Sequence, residues 1–159
     1  MEIYIKKPSS AFLREIKDFF RGEIKENVTV VLCLQDSSYS FIEVRGDEAK
    51  DVCLEIFFEF AEILRGKLGD YWSDYIDPSS GLAVKNDSCR AFNDVETCIR
   101  LLKMEYVSCG GCGMVKHPSF GYAVYPSTFF TTAEIDIVFN ILKEIVSEGR
   151  WKNVDVYCG

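Results

Sequence analysis

The chain has 159 residues, about the length of one domain, and we expect residues 1–159 to form a single domain with a sizeable buried core. Its 48% hydrophobic and 14% aromatic content is too rich for a disordered chain, and no apolar run approaches the roughly 18 residues of a transmembrane helix. Lys and Arg number 18 against 25 Asp and Glu, a net charge of −7 that disfavours nucleic acid and anionic membrane surfaces as partners.

The seven cysteines are an odd number, so at least one is unpaired. The opening residues, MEIYIKK, lack the apolar core of a secretory signal, and the first arginine is Arg14, which does not fit a mitochondrial presequence. We therefore expect reduced thiols and a cytoplasmic location.

The first two elements are a strand and a helix. Glu2–Lys6 alternates in strand fashion, and Ser9 or Ser10 can cap a helix that Gly22 ends. The apolar residues of this helix recur on one face: Phe12, Ile16, Phe19 and Phe20.

A β-hairpin and a long helix are predicted next. The β-branched run 28–34 is typical of a buried strand, and 40–45 is its simplest partner across the polar turn 35–38. The helix 47–65 follows, with Gly66 as its C-cap. Its predicted apolar stripe comprises Val52, Ile56, Phe60 and Leu64, with Ala49, Cys53 and Phe57 beside it.

The middle of the chain is predicted to hold an aromatic strand at 71–76, which runs into a tight turn at 77–81. Proline comes early in this turn and glycine late, an order typical of a fixed reversal of the backbone. The polar segment 85–94 is predicted as a loop, whereas the periodicity of 95–102 fits either a short helix or a strand.

The last third contains strand patterns at 114–116 and 120–125. Thr131 and Glu134 have the spacing of a capping box. A second long amphipathic helix is predicted to follow and to end near Gly149, and 151–157 can add a last strand. These elements indicate an α+β domain in which two long helices pack against one sheet.

Two thiols and three glycines fall within five positions: Cys109, Gly110, Gly111, Cys112 and Gly113. Glycine permits positive φ angles and a close backbone approach to a partner. A thioredoxin-like pair would need this motif to open a helix, but a short apolar run and a proline follow it. Structural zinc would need a second close pair of ligands. A flexible Gly-rich hairpin that happens to hold cysteines is the third interpretation.

The other polar candidates have structural explanations. His117 lies five residues after Cys112, which on a strand places the two on opposite faces, so a local polar contact is favoured over a Cys-His pair. Asp74 and Asp77 are better explained by capping or turn stabilisation than by acid–base catalysis. Six aromatic residues could line a planar-ligand pocket, a partner interface or the core: Tyr71, Trp72, Tyr75, Phe120, Tyr122 and Tyr125.

Two longer blocks carry a resemblance to a known family. YWSDYIDPSSGLA spans 71–83 and includes Trp72 and Asp77, and GCGMVKHPSFG spans 111–121 and includes Lys116 and His117. Together they resemble the methylmalonic aciduria and homocystinuria type D protein family, the CblD cobalamin-trafficking proteins. The resemblance covers most of residues 1–148.

The resemblance implies a fold related to the flavin nitroreductases, with an antiparallel sheet and without the flavin. It implies an adaptor with no catalytic residues, which binds no cofactor alone and receives cobalamin from a CblC-like cobalamin-processing partner. The cobalamin would pass toward methionine synthase or methylmalonyl-CoA mutase. A nitroreductase-like flavin- or thiol-dependent redox protein is the alternative, which bound flavin on purification would favour, and an interaction domain with no cofactor role is the third possibility.

The resemblance also implies which residues meet the partner. The family has two adjacent cysteines, the first of which is thought to ligate cobalt; here Gly111 replaces the first and Cys112 matches the second. Cys109 and Cys112 are therefore the candidate cobalt ligands. The neighbouring partner-binding candidates are Gly110, Gly111, Gly113, Lys116, His117, Trp72 and Asp77.

Overall fold

The computed structural model describes residues 1–38 and 46–159, apart from the side chains of residues 46, 47, 109 and 112. The described part is a mixed α+β structure, as predicted, with a five-stranded sheet, a separate two-stranded hairpin and four helices. Its elements in chain order are β1 (Glu2–Lys6), α1 (Ser10–Phe19), β2 (Thr29–Asp36), α2 (Gly46–Leu68), β3 (Ser73–Tyr75), α3 (Asp94–Leu102), β4 (Glu105–Cys109), β5 (Cys112–Lys116), β6 (Val124–Thr131), α4 (Ile135–Ser147) and β7 (Asp155–Cys158).

The strands of the main sheet are ordered β3-β6-β2-β1-β7. The pairs β1–β2, β2–β6 and β3–β6 are antiparallel, whereas β7 pairs with β1 in parallel. The expectation of an antiparallel sheet is therefore wrong at this edge. Parallel pairing requires a long crossover, and here nearly the whole chain lies between the two strands.

The predicted hairpin after β2 is corrected in two respects. β2 continues through Gln35 and Asp36, which were assigned to the turn, and its two edges pair with β1 and β6. The proposed partner strand 40–45 lies outside the described residues.

Both faces of the sheet are covered, because β2 is apolar on both sides. Val31 and Cys33 pack in one cluster with the two long helices α2 and α4, as predicted. Val30 packs with α1 on the opposite face, and Leu32 packs with Cys98 of α3. The expected architecture of one sheet and two long helices therefore leaves out α1 and α3, which cover the opposite face of the sheet.

Helix α1 follows its predicted pattern. The Ser9 hydroxyl accepts a hydrogen bond from the Phe12 backbone N–H at 3.3 Å, and Gly22 lies beyond the helix with φ +72°. The predicted apolar face is buried.

Helix α2 differs from the prediction at its end and on one side. It continues past Gly66 to Leu68, whose burial one turn after Leu64 stabilises the last turn, and Gly69 follows with φ +61°. Val52 is 52% exposed and is not part of the core stripe, whereas Cys53 beside it is buried. Among the residues described, no helix combines the length and apolarity needed to cross a bilayer.

The ambiguous segment 95–102 belongs to helix α3. The Asn93 side chain caps it by accepting from the Glu96 backbone N–H, and Thr97 and Cys98 are buried. The preceding loop was predicted to extend through Asp94, but Asp94 is the first residue of the helix.

The capping box and the strand 120–125 are both corrected. β6 begins at Val124 and continues through Pro126. The backbone nitrogen of Pro126 faces the edge of β6 on which β3 lies, but β3 pairs only with residues 129–131, so no strand hydrogen bond is lost there. Thr131 is buried in β6, where its hydroxyl donates to the Trp72 carbonyl, so it does not cap α4. Glu134 occupies the cap position without a side-chain capping bond and pairs with Lys7 at 2.7 Å.

Candidate functional site

The cysteine-glycine motif forms the tip of the β4–β5 hairpin. Cys109 and Cys112 are directly opposite in the antiparallel register, and Gly110 and Gly111 connect them with φ +56° and +88°. Two consecutive positive φ angles define a type I′ turn, the tightest common hairpin connection, which glycine adopts without strain. The motif thus forms a Gly-rich hairpin, and it does not open a helix, as a thioredoxin-like pair would require.

The tip is open to its surroundings. Gly110 and Gly111 are exposed, and a Cβ atom added to either would have no neighbour within 4 Å. Gly113 differs, because a Cβ there would lie 2.6 Å from the ring of Tyr106 on β4. The aromatic ring of Tyr106 therefore covers the hairpin next to the tip and lies directly over Gly113.

The base of the hairpin is anchored in the protein. Val115 of β5 is buried with Cys98 of α3 and with Leu32 and Leu34 of β2. Lys116, one residue further, is exposed. The hairpin thus has a fixed base and an accessible tip.

His117 makes the local polar contacts that its position predicted. Its Nδ1 accepts hydrogen bonds from the backbone N–H groups of Ser119 and Phe120, both at 3.1 Å, which leaves the proton on Nε2. Nε2 lies 3.1 Å from the Glu2 carboxylate, and the ring stacks on Phe120. The side chain is buried, so it connects β5 to β1 from inside the protein.

Glu2, the partner of His117, belongs to the candidate site and was missed by sequence reasoning. Its carboxylate also accepts the Tyr4 hydroxyl at 2.6 Å, and burial, with this bond to Glu2, raises the pKa of Tyr4 above its usual value. Glu2 and Phe120 line a cleft of about 620 Å³ at the end of the sheet. Nothing in the alternating pattern of β1 distinguishes this glutamate from an ordinary exposed residue.

Trp72 and Asp77 lie away from the hairpin, at the β3 edge of the sheet. Trp72 packs on Phe20, at 4.9 Å between ring centroids, in the cluster around α1. Asp77 accepts hydrogen bonds from Ser79 and Ser80 in the predicted turn; burial opposes ionisation, but these bonds hold the pKa of its carboxyl below the usual value. The two family-like blocks therefore occupy different parts of the fold.

Asp74 has the structural role that was favoured over catalysis. Its buried carboxylate accepts four hydrogen bonds, from the backbone N–H groups of Tyr75, Lys85 and Asn86 and from the Asn86 side-chain amide. It therefore attaches the loop after the turn to β3.

The six aromatic residues do not line one pocket. Tyr75 is buried in the core, Tyr122 is exposed, and the remaining members line three separate clefts: Tyr71 and Trp72 one, Phe120 another and Tyr125 a third.

The described cysteines outside the hairpin are free thiols: Cys33, Cys53, Cys89, Cys98 and Cys158. Burial raises the pKa of Cys53 to about 11 and that of Cys98 to about 12, and that of Cys33 rises further. Cys89 and Cys158 are exposed. The three buried thiols are thus poor nucleophiles and poor metal ligands near neutral pH.

Asp94 is a second residue that the sequence did not single out. Burial raises the pKa of its carboxyl to about 7, although the Thr128 hydroxyl donates a hydrogen bond to it. Between about pH 4 and pH 7, the Asp94 carboxyl therefore keeps its proton in the native state and loses it in the unfolded chain. Asp94 therefore reduces stability progressively as the pH rises through this window.

Replacing Asp94 by Asn should remove this dependence. We expect the difference in free energy of unfolding between Asp94→Asn and the wild type to shift by about 1–3 kcal/mol in favour of the variant as the pH rises from 4 to 8. Chemical denaturation at each pH measures this difference. Asp136→Asn, at an exposed aspartate in the first turn of α4, controls for the loss of an N-terminal helix charge. Parallel pH profiles for Asp94→Asn and wild type would contradict the assignment.

Comparison with known proteins places these features in a family. The family model of the methylmalonic aciduria and homocystinuria type D protein matches residues 1–145, which include both sequence blocks and the strands β1 to β6. A search of curated proteins finds no match. The family implies a role in cobalamin trafficking, and its members are not known enzymes. Since the match covers most of its 159 residues, the chain belongs to the methylmalonic aciduria and homocystinuria type D protein family.

Proposed function

We propose that this protein is a non-enzymatic adaptor in cytoplasmic cobalamin trafficking. It binds a CblC-type partner that carries cobalamin, and a thiolate at the β4–β5 tip coordinates the cobalt. The cobalamin passes on toward methionine synthase or methylmalonyl-CoA mutase. The family match over residues 1–145 is the observation that carries the trafficking role.

The hairpin supports the finer part of the proposal. Thiolates are soft donors that suit a transition metal with an open axial position. The turn is exposed and has two residues without side chains, so a bulky planar ligand held by a partner can approach its backbone closely.

The register supports a thiolate role for this hairpin despite the glycine at position 111. Cys112 directly follows Gly111, and Cys109, two residues before Gly111, lies opposite Cys112 across the turn. Either thiolate can serve the place where the family has its ligand. His117 acts indirectly, because its bond to Glu2 fixes the end of β5 on which the tip depends.

The test is the visible spectrum of cobalamin bound to a CblC-type protein, recorded with and without this chain. We expect the wild type to shift the spectrum, and the shift to grow as the pH rises toward the ordinary thiol pKa of about 8.5. Cys109→Ser and Cys112→Ser identify the ligand, and Cys89→Ser is the control at an exposed thiol elsewhere. An unchanged shift in the double Ser variant would exclude the thiolate, whereas co-elution with the partner tests the adaptor role separately.

A further inference from the structure

We propose that the hairpin tip is also a thiol-oxidation site, at which Cys109 and Cys112 form a reversible disulfide with each other. The oxidant is a small disulfide of the glutathione class. This disulfide does not depend on the cobalamin role; only its effect on cobalt rests on the proposed function.

The backbone carries the inference. Opposite residues of an antiparallel pair have Cα atoms about 4.5–5.5 Å apart, and disulfides span Cα separations of about 4.4–6.8 Å. Cys109 and Cys112 are such a pair, and the turn that joins them consists of two glycines. Glycine lets the turn adjust to the dihedral preference of the S–S bond at little cost.

The surroundings make this pair the preferred place of oxidation. Cys33, Cys53 and Cys98 are buried, and burial raises their pKa values, so they contribute little thiolate. Cys89 is exposed but lies in the loop beside Asp18, where its thiol contacts the Asp18 carbonyl oxygen. Within the described backbone, only the hairpin tip places two cysteines directly opposite each other on paired strands.

The exchange balances in two steps. One tip thiolate attacks the glutathione disulfide, forms a mixed disulfide and releases one glutathione thiolate. The second tip thiolate attacks the protein sulfur of that mixed disulfide, forms the Cys109–Cys112 bond and releases the other glutathione. The protein loses two thiol protons and two electrons, and the oxidant becomes two thiols. In the oxidised form neither sulfur is a thiolate, so the tip cannot ligate cobalt.

Tryptic digestion provides a direct readout. Cleavage after Lys103 and after Lys116 releases the peptide 104–116, whose only cysteines are Cys109 and Cys112. The full chain is incubated with oxidised and reduced glutathione in defined ratios, quenched with an alkylating agent and digested. We expect the wild-type peptide to appear two hydrogens lighter and without alkyl groups. The Cys109→Ser and Cys112→Ser peptides should instead retain one glutathione.

Two further variants separate turn geometry from simple exposure. Gly110→Asn keeps a residue that tolerates positive φ, so this variant should form the disulfide as the wild type does. Gly110→Val disfavours the turn, so disulfide formation should shift at least several-fold toward more oxidising glutathione ratios. A double Cys89→Ser, Cys158→Ser variant should behave as the wild type. A wild-type peptide that keeps glutathione, or is doubly alkylated while Cys89 carries glutathione, would overturn the proposal. Loss of the cobalamin shift on oxidation is scored separately, so failure of the cobalt role leaves the disulfide result intact.

Discussion

Gly81→Val should lower the free energy of unfolding by about 3 kcal/mol or more, one of the two largest losses we expect from a single substitution. Gly81 has φ +73°, which a β-branched residue adopts only with strain. A Cβ atom there would also lie 2.9 Å from the Phe92 carbonyl oxygen and 3.0 Å from the Ala91 Cβ. The same segment is attached to Gly81 by the hydrogen bond from the Phe92 N–H to the Gly81 carbonyl.

Gly69→Val isolates the conformational part of this loss. Gly69 has φ +61°, but a Cβ atom there meets nothing within 4 Å. Its variant should lose only about 1–2 kcal/mol in urea unfolding. Equal losses at the two positions would mean that the contact with 91–92 has no energetic weight.

Asp74→Ala should cost about 3–5 kcal/mol. The substitution leaves four N–H donors without their acceptor in the place where β3 meets the loop of Lys85 and Asn86. The Asp74 side chain is fully buried, and a donor that loses its acceptor at a buried position costs its desolvation. Thermal or urea unfolding measures the loss.

Asp77→Ala is the matched control within the same block. Its carboxylate also accepts from several donors, in Ser79 and Ser80, but these donors are exposed and can bond to water instead. We expect a loss of about 1 kcal/mol. Similar losses for the two aspartates would show that burial does not determine the cost.

Local elements were predictable where one segment carries its own signal. Four such elements depend on residues within a few positions of one another: the Ser9 cap, the buried run of β2, the turn at 77–81 and the amphipathic pattern of α4. The predicted end of α2 was wrong because burial of Leu68 stabilises a turn beyond Gly66. This burial depends on tertiary packing, which the local sequence does not show.

Strand order was not predictable, because it depends on partners far away in the chain. β6 lies between β2 and β3, and no local residue pattern indicates this. The candidate site shows the same division. The Gly-rich hairpin is local and was one of three interpretations of its motif, although its strand β4 was not predicted. The contact between His117 and Glu2 joins residues 115 positions apart, and no local pattern indicates it. The nitroreductase-like resemblance stays a prediction.

The sheet order has a consequence for the time course of folding. β2–β6, β3–β6 and β1–β7 all join distant segments, so each must close a long loop before its hydrogen bonds form. Such topologies fold on the order of milliseconds to seconds, whereas a hairpin such as β4–β5 can form in about 1–10 μs. The parallel pair β1–β7 cannot form until the last strand has left the ribosome. The nascent chain can thus sample the turn between Cys109 and Cys112 long before the sheet that supports it is complete.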